Sequence, residues 1–169
     1  MKLHIGLFFL ISLKYESWKN YKIMFADSIS EMIDFINYQN TDGNGLCKII
    51  AGPAWNINED IIIESEIYHW AGSEKKENDI IYSIHKTQGF DLNFAGVIFG
   101  REIYFDKECG RLEINKKNLK DNYTKSSGDK KMREYVLDIY LTLMTKGIFG
   151  TYIYVMDESL REYLKDFLL

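Results

Sequence analysis

Two apolar segments enclose a short polar segment between residues 82 and 97. The first apolar segment leads into His85, Lys86, Thr87, Gln88 and Gly89, and the second follows shortly after. A strand that ends in a polar, glycine-containing turn presents backbone N–H groups and short side chains at one edge of a sheet. Open α/β sheets bind phosphates and nucleotides at that edge. This pattern therefore predicts an α/β fold and the position of a site within it.

Strand and helix patterns alternate along most of the chain. The sequence Ser28-Ile29-Ser30-Glu31 is a capping box that predicts the start of a helix. Gly147 is expected to end a second helix as its C-cap glycine. The alternation is typical of a three-layer α/β fold, a mostly parallel sheet with helices on both faces. Strands are predicted at 21–26, 46–51, 61–63, 79–84, 95–99 and 151–156, a hairpin at 101–105 and 111–114, and helices at 29–38, 131–146 and 157–168.

Length and composition predict one domain over residues 1–169, since the chain is 46% hydrophobic and of ordinary domain size. Residues 115–130 are rich in Lys, Asn, Ser and Asp and are predicted to form a flexible loop. The formal net charge of −4 argues against a protein that coats nucleic acid without specificity. A cluster of basic residues between 116 and 133 is interpreted as part of a solvated loop.

Neither the cysteines nor the amino terminus indicates an exported or membrane protein. Cys47 and Cys109 are far apart in sequence and are expected to be free thiols in the cytoplasm. No metal site is expected, because no Cys or His pair has ligand spacing. The apolar run at residues 5–13 is too short to span a bilayer and lacks a signal-peptide cleavage site. It is expected to form a buried strand or helix, and we predict no contact with a membrane.

Five short motifs, taken in order, carry a family resemblance. Residues 84–91 have the pattern of the fifth motif of superfamily-one helicases, and residues 140–147 resemble the sixth. The other three motifs are Ala-Gly-Pro-Ala-Trp at 51–55, Gly-Val-Ile-Phe-Gly at 96–100 and Gly-Thr-Tyr-Ile-Tyr at 150–154. Together they resemble the Schlafen group-3-like helicase family, a domain family of unknown function, over roughly residues 21–169. Each motif alone is weak, and the five in order are fairly specific.

The resemblance implies a C-terminal RecA-like lobe, of the phosphate-loop NTPase superfamily. No Gly-x-x-x-x-Gly-Lys-Ser/Thr phosphate loop occurs in the sequence, and in such helicases that loop belongs to the first lobe. The chain is therefore expected to be the second lobe of a nucleic-acid-dependent NTPase or helicase, inactive alone. Its expected partners are a phosphate-loop-bearing first lobe or subunit and single-stranded nucleic acid. ATP and Mg²⁺ would bind only with the complementary first lobe.

Residue by residue, the resemblance implies a composite nucleotide and nucleic-acid site. Lys146 stands at the position of the arginine finger, where lysine keeps the charge and loses the bidentate fork. Asn93 replaces an acid, and Leu141 replaces an arginine usual in the family, which suggests weakened catalysis. The residues expected to bind nucleotide or nucleic acid are His85, Thr87, Gln88, Gly89, Asp91 and Thr145.

Simpler structural explanations exist for these residues. Gln88 could belong to a tight turn, Thr87 could cap a helix, and Lys146 could stabilise a helix C-terminus by ~0.3–1 kcal/mol. Trp55 and Trp70 could stack on bases or serve as structural tryptophans. An alternative function is a degenerate helicase-like interaction module without catalysis, with the apolar amino terminus as its docking surface.

Overall fold

A computed structural model describes residues 21–43, 45–72, 79–120, 125–126 and 128–168 of the chain. The apolar run at residues 5–13 lies outside the described residues, as does part of the predicted loop at 115–130. Within the described part of that loop, Leu119 is fully buried.

Strands dominate the described chain, and three α-helices are distributed among them. In chain order, the elements are β1 (Lys22–Phe25), α1 (Ile29–Thr41), β2 (Lys48–Ala51), β3 (Ile61–Ile63), β4 (Glu66–Trp70), β5 (Asp79–Ser83), a 3-10 helix (Ile84–Thr87), β6 (Leu92–Phe99), β7 (Ile103–Asp106), β8 (Arg111–Ile114), α2 (Asp129–Met144), β9 (Gly147–Val155) and α3 (Glu158–Leu168).

Seven strands form one sheet in the order β1-β9-β6-β2-β5-β4-β3. Every neighbouring pair is parallel except β3 with β4. The central strand β6 is apolar over almost its whole length, as expected of a parallel strand covered on both faces. The two remaining strands, β7 and β8, form the predicted antiparallel hairpin, with Ile103 opposite Ile114.

Helices cover both faces of this sheet, so the predicted three-layer α/β fold is confirmed. On one face, Met32 and Ile36 of α1 pack with alternate side chains of β6 and β9, including Ile98. On the other face, α2 and α3 pack on the intervening side chains, such as Val97 and Ile153. Successive strand residues point to opposite faces, which is why neighbours such as Val97 and Ile98 belong to different cores.

The capping box at the start of α1 is also confirmed. The Ser28 hydroxyl accepts a hydrogen bond from the Glu31 N–H at 3.1 Å. The Glu31 carboxylate reaches back and accepts from the Asp27 N–H at 2.8 Å, one residue before the cap. At the other end of the chain, Asp157 caps α3 by accepting from the Leu160 N–H at 2.8 Å.

Other expectations need correction, and the largest concerns Gly147. The C-cap of α2 is Thr145, whereas Gly147 is already the first residue of β9. A Cβ at Gly147 would overlap the Gly150 carbonyl, so close backbone approach explains this glycine. Strand β9 consequently begins four residues earlier than the predicted start at 151. Strand β4 was not predicted at all, because its sequence lacks a clear apolar alternation.

The parallel strands place several loops at one edge of the sheet. Strands β2, β5, β6 and β9 end at this carboxyl edge, where Gly52, Ile84, Gly100 and Met156 follow them. Binding sites of open α/β sheets lie outside these strand ends. Among the helices in the described part of the chain, none combines the length and apolar character needed to cross a bilayer.

Candidate functional site

The turn segment, defined as residues 84–91, connects β5 to β6. The two strands are parallel, and β2 lies between them in the sheet. The eight residues of the turn segment must therefore pass β2 and return the chain from the end of β5 to the start of β6. It begins as the 3-10 helix and ends that helix at Gln88, whose N–H donates to the His85 carbonyl at 3.4 Å. Gly89 follows with a φ of +78°, in the left-handed region that favours glycine.

Lys146 joins the turn segment to the end of α2. Its Nζ donates a hydrogen bond to the Thr87 carbonyl at 2.8 Å. Its own carbonyl accepts from the Leu92 N–H at 3.2 Å, immediately after the turn segment. The two stretches that resemble the fifth and sixth helicase motifs are thus in direct contact, although 59 residues separate Lys146 from Thr87.

The predicted site residues fall into two groups. Thr87 is fully buried, and its hydroxyl donates to the Ile84 carbonyl at 3.0 Å. Thr145 is half-buried, and its hydroxyl donates to the Leu141 carbonyl at 3.0 Å. Both hydroxyls bond to the backbone of their own element. The exposed group consists of His85, Gln88, Gly89 and Asp91.

Three further motif residues, Tyr140, Gly52 and Gly100, are buried close to the turn segment together with Glu102. We call these four residues the tyrosine network. The Tyr140 hydroxyl donates to Glu102 and accepts from the Gly100 N–H at 3.1 Å, and its ring stacks on Phe99 at 4.0 Å between centroids. A Cβ at Gly52 would overlap the Tyr140 hydroxyl. Glycine in the motifs at 51–55 and 96–100 therefore leaves room for this network.

Glu102 is a residue that the sequence did not single out. Its carboxyl is fully buried, and burial raises its pKa to about 7, against the lowering effect of the Tyr140 hydrogen bond. One carboxyl oxygen binds Tyr140, and the other has no hydrogen-bond partner among the described residues. In the sequence, Glu102 follows an arginine at the start of a predicted hairpin, a pattern typical of a surface position. Only the fold reveals its burial.

A cleft of about 360 Å³ lies beside the exposed side of the turn segment. Its wall on the helix side is formed by Tyr135 and Ile139 of α2, and Trp55 lies in the loop after β2. His85 and Gln88 contribute polar groups from the turn segment. We refer to this space as the turn cleft.

The structure separates the two candidate stacking tryptophans. Trp70 is buried, and its indole N–H donates to the carbonyls of Asn56 and Glu59 at 3.1 and 3.0 Å. This bond holds the loop after β2 in place. Trp55 is half-buried, and it lines both the turn cleft and a neighbouring cleft. Trp70 also lines the turn cleft, but its indole N–H is bonded to the loop, so Trp70 is a structural residue and Trp55 is the candidate for stacking.

The neighbouring cleft is larger, about 540 Å³, and carries charges of both signs. Lys120 lies between the two clefts and forms an ion pair with Glu59 at 3.3 Å. The mixture of signs makes this space less suited to an anion than the turn cleft. In the described part of the chain, no three His, Cys, Asp or Glu side chains are grouped so as to hold a metal ion. The charged residues that line the larger cleft are Glu59, Asp60, Glu64, Arg101, Lys117 and Lys120.

Comparison with known protein families shows to which family the chain belongs. The profile of the family described as "Schlafen group 3, DNA/RNA helicase domain" matches residues 11–157, and this span contains all five motifs. The chain belongs to this family. The resemblance inferred from the motifs is therefore confirmed, and the protein contains a Schlafen group 3 helicase-like domain.

One curated relative of this Schlafen group 3 domain is the uncharacterized protein YPL245W of Saccharomyces cerevisiae. It is 31% identical over 120 residues, which cover 67% of this chain and 26% of the yeast protein. The match thus spans about a quarter of the length of that relative. No solved structure matches the chain.

Proposed function

We propose that this Schlafen group 3 domain is the second, RecA-like lobe of a nucleic-acid-dependent NTPase or helicase. It contributes to a composite ATP and nucleic-acid site and does not hydrolyse ATP alone. The observation that carries this proposal is the hydrogen bond from Lys146 to Thr87. It places the only cation of the sixth-motif stretch against the turn segment that resembles the fifth motif.

The chemistry of Lys146 suits an auxiliary charge in phosphoryl transfer. An ammonium group has three N–H donors. One of them bonds to the Thr87 carbonyl, so the other two can bind phosphate oxygens. Its half-buried position weakens solvent screening of the charge. Lysine lacks the planar fork of arginine, whose proper placement contributes roughly 10³–10⁵ in rate. We therefore expect a smaller contribution from Lys146.

The β- and γ-phosphates of ATP need a cradle of backbone N–H groups and a held magnesium ion. The sequence contains no phosphate loop, and the described residues contain no acidic cluster suited to Mg²⁺. The residues of this chain thus fit only part of an ATP site. In this proposal a complementary first lobe binds ATP and Mg²⁺, and Lys146 approaches the phosphates from the opposite side.

The exposed part of the turn segment is the proposed nucleic-acid contact. His85 and Gln88 offer hydrogen-bonding side chains, and Asp91 adds an acceptor near the start of β6. A Cβ placed on Gly89 would meet no atom within 4 Å, so the backbone there is open to a close ligand. The donors among these groups can position a phosphate backbone without reading sequence, and the Asp91 carboxylate can accept from a sugar hydroxyl or a base donor.

ATP hydrolysis measured in the presence of single-stranded DNA tests the proposal. We expect no turnover by the 169-residue chain, and turnover after mixing with a phosphate-loop-bearing polypeptide encoded beside it. Lys146→Ala should lower the turnover of the mixture at least about tenfold, since a charge facing the transition state is lost. Lys165→Ala is the matched control, because Lys165 lies on α3, outside the turn segment, and pairs with Asp27 at 3.1 Å. Turnover by the chain alone that Lys146→Ala abolishes would overturn the proposal.

A second candidate is a degenerate interaction module that keeps the fold without catalysis. Leu141 in place of an arginine favours it, as does the engagement of the Lys146 amine by a carbonyl. A fluorescence titration with single-stranded DNA separates the two candidates. Salt-sensitive binding that Gln88→Ala weakens supports the helicase lobe, and a mixture that neither binds DNA nor hydrolyses ATP supports the module.

A further inference from the structure

Ser83 is the most unusual polar residue near the turn cleft. It is the last residue of β5, the residue is only 6% exposed, and it lines the cleft. Its hydroxyl has no hydrogen-bond partner among the described residues. A buried hydroxyl without a partner is unfavourable, so such a group calls for a ligand or an ordered water.

The other groups around Ser83 are those that recognise a planar heteroaromatic ring. Trp55 and Tyr135 supply aromatic surface, and Ile139 supplies aliphatic surface. His85 and Gln88 each supply both a donor and an acceptor. A base offers the complementary combination, a flat apolar face and an edge of donors and acceptors. A volume of about 360 Å³ lies in the range of small-ligand sites.

Lys120 adds a positive charge to these ligand-binding groups, at the rim of the turn cleft. The Lys120 backbone N–H donates to the Pro53 carbonyl at 3.2 Å, which ties Lys120 to the loop after β2. The Lys120 side chain forms an ion pair with Glu59, and both side chains are exposed, so the pair is weak and readily exchanged. A phosphate group attached to a bound base can therefore compete for Lys120.

We propose that the turn cleft holds one unpaired base of a single-stranded nucleic acid, stacked against Trp55 or Tyr135, with the Ser83 hydroxyl bonded to the base edge. Lys120 then neutralises an adjoining phosphate. This inference rests on the proposed nucleic-acid contact of the turn segment and adds base recognition to it. Aromatic stacking tolerates all four bases, whereas the hydroxyl and the Gln88 amide favour some base edges over others.

The test uses the 169-residue chain and two fluorescently labelled strands of equal length. One is oligothymidylate, and the other is its abasic counterpart with the same sugar–phosphate backbone. We expect fluorescence anisotropy at low salt to show tighter binding of the strand that bears bases. Tyr135→Ala should weaken that binding by about tenfold and leave the abasic strand unaffected, because stacking on one aromatic ring is lost.

Two further variants make the experiment specific. Ser83→Ala should weaken binding of oligothymidylate by about fivefold without loss of thermal stability, since it removes a hydroxyl that has no partner among the described residues. Tyr38→Ala is the matched control for Tyr135→Ala. Tyr38 is 59% exposed on α1, on the opposite face of the sheet. Its replacement should change neither the affinity for oligothymidylate nor that for the abasic strand.

Each other outcome overturns a defined part of the inference. Equal binding of the two strands, dependent on Gln88, would exclude base recognition and preserve the proposed backbone contact. Binding of thymidine monophosphate as tight as that of oligothymidylate, with the same Tyr135 dependence, would make the cleft a site for free nucleotides. Absence of binding to either strand would overturn this inference together with the nucleic-acid part of the proposed function, whereas the effect of Lys146 on ATP turnover is measured independently.

Discussion

Three residues of the tyrosine network and the whole turn segment belong to motifs of the helicase-like family, but the two regions differ in what their residues contact. In the network, Tyr140 and Glu102 are fully buried and bond to each other, and Gly52 leaves room for the tyrosine. In the turn segment, His85 and Gln88 are exposed and line a cleft. Motif residues of one family thus divide into those that hold the fold and those available to a ligand.

This difference separates stability from function in a testable way. Substitutions in the tyrosine network should change the free energy of unfolding strongly, because they leave a cavity or an unpaired buried group. Substitutions in the exposed turn segment should change binding and leave stability nearly unaltered. A large stability effect in the turn segment, or none in the network, would break the comparison.

The largest expected effect is that of Tyr140→Ala. It removes a fully buried ring and leaves the Glu102 carboxyl and the Gly100 N–H without their partner. We expect a loss of about 3–5 kcal/mol in the free energy of unfolding, measured by urea denaturation. Tyr135→Ala, on the same helix at a position that is 45% exposed, is the control and should cost far less.

Gly52→Ala sharpens the same comparison. The new methyl group would overlap Tyr140, so we expect a destabilisation of about 1–3 kcal/mol. The three atoms nearest to the new methyl group all belong to Tyr140. In the Tyr140→Ala background the penalty should therefore largely disappear, and a penalty of unchanged size would show that the two residues are not coupled.

An effect at the upper end of the same range is expected from the titration of Glu102. Burial raises its pKa in the folded protein to about 7, from an ordinary value of 4.5. Between these values the folded protein holds a proton that the unfolded chain releases. The resulting stability is fully present below about pH 4.5 and is lost as the pH rises through 7. The loss attributable to Glu102 should amount to about 3 kcal/mol.

Glu102→Gln isolates this contribution from the other titrating groups. Denaturation of both proteins across the pH range gives the difference in their free energies of unfolding at each pH. That difference should change in favour of the variant as the pH rises from 4.5 to 7. A constant difference would mean that the Glu102 carboxyl ionises in the folded protein as readily as in water.

The smallest stability effect is expected in the turn segment. The Gln88 side chain is exposed, so Gln88→Ala should change the free energy of unfolding by no more than about 0.5 kcal/mol. Thermal unfolding of the variant beside the unaltered chain provides the measurement. A substantial loss of stability would place Gln88 with the structural residues and remove the distinction between the two regions.

Most of the fold could be predicted from apolar patterns. The continuous apolar character of β6 and the capping box at Ser28 gave correct positions because both signals are local. The role of Gly147 was predicted wrongly, since its contact with the Gly150 carbonyl depends on the path of β9. The helical periodicity of α3 places Phe167 on the same stripe as the buried Leu160 and Leu164, yet Phe167 is exposed, because periodicity does not show where a neighbouring layer ends.

The site was predictable only where a motif marks it. The sequence indicated both the turn segment and Lys146, but periodicity could not show that they are joined through the Thr87 carbonyl. Ser83 gave no signal, because a serine at the end of a strand is common and its missing partner is visible only in three dimensions. The sequence did not single out Glu102 either, since its burial results from tertiary packing.

The bond between Lys146 and Thr87 has a thermodynamic consequence for ligands on either side of it. Thr87 directly precedes Gln88, so a ligand that draws the amine of Lys146 away from the Thr87 carbonyl changes the restraint on the next residue. Suppose that an anion bound at Lys146 changes the affinity of the protein for single-stranded nucleic acid at Gln88 by some factor. The bound nucleic acid must then change the affinity of the protein for the anion by the same factor. One hydrogen bond can in this way make two occupancies interdependent.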